Sequence, residues 1–383
     1  MSGNRHLANG RQRCGARAAL GFTLIELMVG MVIALLTTVV IAQVLVVSEG
    51  RRRTTVAGTD AQVNGALALY DVQREVQMAG YGMTAAVEGI GCNIKSVLNG
   101  VAQPDFTLAP VIITDGASGA PDRVLVMGSA KGSYSVPARV VTTHTQSSAD
   151  FFISSTLGVA NGDLMIAVPG IIDVNNWCSI FNVTAITGGS QITHASGVGG
   201  RWNQPGVSSI FPASGYGALG SYLADPTKSS YVINLGQFTT REIRVNASQA
   251  LEVRTFSSAT GATTPSELFP DIVNLQAFYG KDTDNDGVVD TYDSVQPTTN
   301  AAWRQVLSVR VAVVARSAQM EKDTVTAAEP LWDIGNATTV AGSAACGTSK
   351  CITLKVDTLP DWQRYRYKVY DSIVPLRNML WRS

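Results

Sequence analysis

The residues with the clearest chemistry are acids. Five aspartates, Asp282, Asp284, Asp286, Asp290 and Asp293, fall in the run DTDNDGVVDTYD from 282 to 293, with Gly287 at its sixth place and Val288 at its seventh. Ca²⁺ takes about six to eight oxygens. A loop with carboxylates at places 1, 3, 5 and 12, a backbone carbonyl at 7 and a ninth-place ligand can supply them, and the glycine permits a sharp turn. The spacing predicts a calcium loop in which Asp282, Asp284, Asp286, Asp290 and Asp293 offer carboxylates and Val288 its carbonyl; the alternative is a solvated acidic turn. A sixth acid, Glu26, has different chemistry. It stands five places after Gly21 in GFTLIELMVG and carries the one charge between Phe22 and Val47. A charge inside a membrane-spanning helix costs about 2.5–3.5 kcal/mol on insertion scales, so it needs a partner or a task. Near a helix start it lies at the positive end of the dipole, and an amine brought beside it in low dielectric would neutralise both.

Glu26 is carried by the stretch from 22 to 47, which as a helix extends about 39 Å and spans a bilayer core of about 30 Å. Arg5, Arg11, Arg13 and Arg17 precede it with no acid among them. The expected orientation is therefore N-in, C-out, although Arg51, Arg52 and Arg53 pull the other way. A secretory signal would have a shorter apolar core and a small-residue cleavage site, and neither is present. From 48 to 82 a helical spacing continues in a more polar sequence, through Val56, Val63, Leu67 and Tyr70, until Gly80-Tyr81-Gly82 stops it. Gly50, Gly58 and Gly65 weaken that helix locally. Residues 83–383 lose the helical period. Short β-rich runs such as VIIT at 111, RVLVM at 123 and DFFIS at 150 alternate with turn residues, which predicts a β-rich head that carries the aspartate loop. Val309, Val311, Val313 and Ala315 share one strand face, whereas Arg364, Arg366 and Lys368 line a solvated one. Gly- and Ser-rich residues 186–230 are long connections with no assignable structure. The fold class is α+β, a long N-terminal helix packed on a large β-rich head.

With 45 % apolar residues the chain is ample for a globular head. Charges balance at 29 basic and 29 acidic; without the four leading arginines the balance is near −4, which offers no broad basic surface for nucleic acid. Beyond Cys14, four cysteines remain, an even set suited to two disulfides in an oxidising compartment. Three pairings are possible. Cys346 with Cys351, closing a small loop, and Cys92 with Cys178 are favoured over four free thiols. No nucleophile, metalloprotease or phosphate-loop pattern accompanies His144 or His194, so no enzyme is expected, and each histidine is read as an ordinary surface or hydrogen-bonding residue.

The string GFTLIE resembles the class III signal of type IV prepilins and pseudopilins, in which a membrane peptidase cuts after the glycine and methylates the new terminus. The resemblance implies a leader from 1 to 21, processing at Gly21 and Phe22, and an assembly role for Glu26 toward a neighbouring subunit's terminal amine. The aspartate loop resembles those of dockerin or thrombospondin-type repeats more than an EF-hand, because Asp293 replaces the longer Glu and a strand-like segment precedes it. Modest affinity follows. FYGKDTDNDGVVDTYD, WRQVLSVRVAVVARS and RYRYKVYDSIVPLRNMLW, taken with the N-terminal motif, resemble PilW-type minor pilins. That resemblance implies a minor pilin of a type IV pilus that primes filament assembly, sits at or near the tip and supports adhesion, twitching motility and DNA uptake. The implied partners are other minor pilins, the major pilin, the prepilin peptidase and the inner-membrane assembly platform. Before assembly the chain would sit in the inner membrane with a periplasm-facing head, and afterwards at the pilus surface. The rival readings are a type II secretion pseudopilin and a membrane-anchored adhesin-like binding module.

Overall fold

Threonine begins the first helix. In a computed structural model that describes residues 21, 23–84, 87–116, 119–131, 136–196, 200–203 and 210–380, α1 runs over Leu24–Met78. The chain divides into two units, one up to Thr55 and one from Val56 onward. In the first, Leu24–Gly50 has a mean hydropathy of 2.5 and exposed side chains, so by length and composition it can cross a membrane. Its internal hydroxyls are satisfied within the helix: Thr37 Oγ1 donates to the Ile33 carbonyl at 2.6 Å and Thr38 Oγ1 to that of Leu35 at 2.8 Å. Those bonds suit lipid, where an unpaired polar group is costly. Residues 1–20 of the expected leader and Phe22 lie outside the described residues.

In the second unit the remaining part of α1 buries Ala61, Ala68, Val72 and Val76, a stripe at helical spacing. They join one core with Leu275, Ala277, Val309, Val311 and Val313. Gly65 is part of this contact. A Cβ there would lie 2.2 Å from the Tyr370 ring and 3.0 Å from the Ala315 Cβ, so the residue that weakens the helix by propensity is the one that lets a tyrosine approach it. Gly80 and Gly82, both at positive φ, turn the chain after Met78.

Strands Val306–Arg316, Ile272–Lys281 and Tyr367–Pro375 lie within one five-stranded sheet, with Val306–Arg316 between the other two. The sequence expects one buried face on Val306–Arg316; both are buried. Ala312 and Val314 meet Trp332, Ile334 and Leu354 on the far side, because the small three-stranded sheet containing Leu331–Gly335 covers it. Arg310, on that same face, is buried. It donates to the Ile334 carbonyl at 3.1 Å and lies over the Trp332 ring at 5.3 Å.

A second five-stranded sheet holds Val111–Thr114, Arg123–Ser129, Phe238–Val245, Ala250–Ser257 and Ala262–Pro270. A nine-stranded sheet, with Leu164–Val168 and Cys178–Asn182 fully buried, makes up the middle of the chain. The described residues between 186 and 230 are more structured than their composition suggests. Trp202, Phe211 and Tyr216 are buried, and Phe211 and Tyr216 enclose His144 and His194 together with Phe151 and Phe181. The two histidines are therefore core residues and not surface ones, with Nε2 atoms 2.9 Å apart. Disulfides join Cys92 to Cys178 and Cys346 to Cys351, at Cα separations of 5.9 and 5.7 Å.

Candidate functional site

At the start of α1, Thr23 occupies the cap position. Its Oγ1 accepts the Glu26 N–H at 3.3 Å, and its carbonyl accepts the N–H groups of Glu26 and Leu27 at 3.1 Å. The T-x-x-E spacing is that of a capping box, a signal present in the sequence and missed in reading it. Glu26 thus lies at the third helical place, in the first turn, with its side chain exposed. Gly21 is exposed ahead of it. Phe22, the residue expected to carry the new amino terminus, falls outside the described residues.

The aspartate loop follows strand Ile272–Lys281 and folds around its own backbone. Asp282, which is buried, accepts the Asp286 N–H at 3.2 Å and the Gly287 N–H at 2.8 Å through its two oxygens. Asp284 accepts the Asp286 N–H at 3.2 Å, and Asp286 accepts the Val288 N–H at 2.7 Å. These turns require the left-handed conformations seen at Asn285 (φ 64°) and Gly287 (φ 91°). Asp290 accepts from both the N–H and the hydroxyl of Thr283 at 2.7 Å, which hold its carboxyl below the usual range.

Asp282, Asp284 and Asp290 each bring a carboxylate oxygen within 4.8 Å of the other two. At Asp284 the Asp286 N–H pulls the pKa down, but slight burial and the charges of Asp286, Asp290 and Asp282 outweigh it, and the pKa is raised. A cation would relieve that repulsion, and three hard oxygens fit Ca²⁺. Asp286 is not among the clustered carboxylates. Asp293 is held elsewhere: Lys281 Nζ donates to its Oδ1 at 2.5 Å and the Val295 N–H at 2.9 Å. The clustered set is three carboxylates where the sequence spacing offered five: Lys281, just ahead of the loop, claims Asp293, and Asp286 accepts the Val288 N–H instead.

A helix apolar and long enough to span a bilayer, followed by a large β-rich head with few helices, is consistent with an α+β, type IV pilin-like fold. Residues 237–378 match the family described as type IV pilus-assembly protein W, and this supports assignment of the chain to the PilW family. The matched region holds the aspartate loop and both long strands of its sheet. No curated protein and no solved structure matched the chain. The assignment supports a role in type IV pilus assembly and interaction with other pilus components, and the apolar helix fits a membrane anchor. The family is one of assembly components and not of enzymes.

Proposed function

We infer that this chain is a minor pilin that primes polymerisation of a type IV pilus and ends at or near its tip, where it supports adhesion, twitching motility and DNA uptake. The observation that carries this reading is the lone carboxylate of Glu26 in the first turn of an otherwise uncharged run, together with the family match in the head. Processing falls between Gly21 and Phe22 by a prepilin peptidase that also methylates the new terminus. The freed amine of one subunit then docks on Glu26 of the next, at the assembly platform of the inner membrane. The head faces the periplasm, in keeping with its two disulfides.

Calcium is held in this reading by Asp282, Asp284 and Asp290, and its contribution is to neutralise and fix the loop. Three carboxylates give an affinity at the weak end, about 10⁻⁴–10⁻³ M, which suits an extracytoplasmic module.

The test separates charge from helix capping. Glu26→Gln keeps an amide oxygen able to serve in the cap but removes the charge, whereas Glu26→Ala removes both. Pili are counted in a knockout complemented with each variant. Both are expected to fail; restoration of piliation by Glu26→Gln would leave the acid with a capping role and no docking role. Loss of exoprotein secretion with intact pili would move the chain to the secretion pseudopilins.

A further inference from the structure

Away from both of these regions, the head has a cleft of about 590 Å³ whose walls come from distant parts of the sequence. Arg139, from strand Ala138–Thr142, lines it together with Lys228, Ser229 and Tyr231 and with Arg304, at the end of the short helix α2 (Asn300–Arg304). Among the described residues that line it, Arg139, Lys228 and Arg304 are cationic and Glu88 is acidic.

The walls are set in advance of any ligand. Arg139 Nη1 donates to Ser229 Oγ at 3.1 Å, and among the described residues Arg139 belongs to no ion pair. Asn300 Nδ2 donates to the carbonyls of Val87, Glu88 and Ile90 at 3.1, 3.1 and 2.7 Å, tying α2 to the turn that bears Glu88. On the inner side the Tyr231 hydroxyl is buried and has no hydrogen-bond partner among the described residues. An unpaired buried hydroxyl is costly, and a ligand oxygen reaching it would recover the bond. Burial, with the Glu88 charge, raises its pKa, so it keeps its proton to donate.

We propose that this cleft binds a hydroxylated organic anion of sugar size, of the uronic acid type, with its carboxylate on Arg139 and Lys228 and a hydroxyl or ring oxygen on Tyr231. Guanidinium and ammonium groups recognise carboxylates, and the hydroxyls of Thr227, Ser229 and Tyr231 suit a polyol. The volume lies within the range of about 300–1,000 Å³ typical of small-molecule sites and is far larger than a lone inorganic ion needs. The site is independent of the pilin reading and would stand if that reading fell.

Glucuronate, glucose and inorganic phosphate are titrated separately into the full-length chain in detergent by calorimetry. Glucuronate is expected to bind, more weakly as salt rises, while glucose does not and phosphate is at least roughly tenfold weaker. Arg139→Gln, at an exposed position, should lose roughly tenfold or more in affinity with its melting midpoint unchanged, and Tyr231→Phe roughly threefold to tenfold. No heat with glucuronate, unchanged affinity in Arg139→Gln, or phosphate binding as tightly as glucuronate would each overturn the assignment.

Discussion

The pair His144 and His194 gives the head a pH dependence whose sign follows from burial. Both are nearly inaccessible, at 1 % and 8 %, and stack among Phe151, Phe181 and Phe211. Desolvation lowers their pKa values from 6.5 to about 3 and about 4, with His194 lowering His144 further. Between pH 6.5 and about 4 the unfolded chain takes up these protons and the folded one does not, so stability falls as pH falls. The slope is at most about 1.4 kcal/mol per pH unit for each histidine. Asp122 opposes them. Its carboxylate is buried and accepts the N–H groups of Gly116 and Ala277 at 2.8 and 2.7 Å, and desolvation raises its pKa to about 7. A raised carboxylate stabilises the fold below its unfolded value and loses that contribution as pH rises toward 7. Two histidines outweigh one aspartate. Thermal melting of the chain should therefore decline from pH 6.5 to 4.5 and decline more steeply in Asp122→Asn. A profile that is flat, or that improves on acidification, contradicts the buried neutral pair. None of this was legible in the sequence, because residues fifty apart, set in Ser/Thr-rich stretches, carry no local sign of meeting.

Helices and strands show where periodicity sufficed and where it failed. The apolar run, its polar continuation and strand Val111–Thr114 follow from residue pattern, since the run is apolar throughout, the continuation buries one helical stripe and the strand alternates. The short helix α2 did not: five residues hold too little period, although Thr299 caps it through the Ala302 N–H. Likewise Trp202, Phe211 and Tyr216 fill a core from within glycine- and serine-rich chain, where no alternation marks them. In the aspartate loop the turn chemistry was readable and the capture of Asp293 by Lys281 was not. Gly65 tests the packing of α1. Alanine there gains up to about 1 kcal/mol of helix propensity but must displace the Tyr370 ring, and overpacking costs about 1–3 kcal/mol. Gly65→Ala should be neutral to destabilising and Gly65→Val clearly destabilising in chemical denaturation; a stabilised valine variant would mean that the helix does not pack against that ring. The loop has its own test. Calcium should raise the melting midpoint of the wild type and have no effect on Asp284→Ala, an exposed position whose loss leaves the backbone bonds of Asp282 in place.

At the scale of the molecule, two chemistries divide the chain. A lipid-compatible helix segment carries Glu26 as its one charge up to Val47, and a disulfide-bonded, β-rich head follows it. The two cross-links should contribute unequally. In the chain-entropy account, a bridge closing 86 residues restrains the unfolded chain by about 4.6 kcal/mol and one closing 5 residues by about 2 kcal/mol. Cys92 also lies fully buried next to Cys178, in the core that joins the nine-stranded sheet to Trp202 and Phe238, whereas Cys346 sits on a surface hairpin. Replacing Cys92 and Cys178 by alanine therefore removes both a long-range restraint and buried volume. That variant should melt well below the wild type under oxidising conditions, whereas the Cys346→Ala, Cys351→Ala variant should lose only a few degrees. The same contrast should appear in the cell as a lower level of the first variant, because an unfolded head is open to proteolysis. Equal melting of the two variants would mean that the 86-residue bridge restrains nothing that the packed core does not already hold.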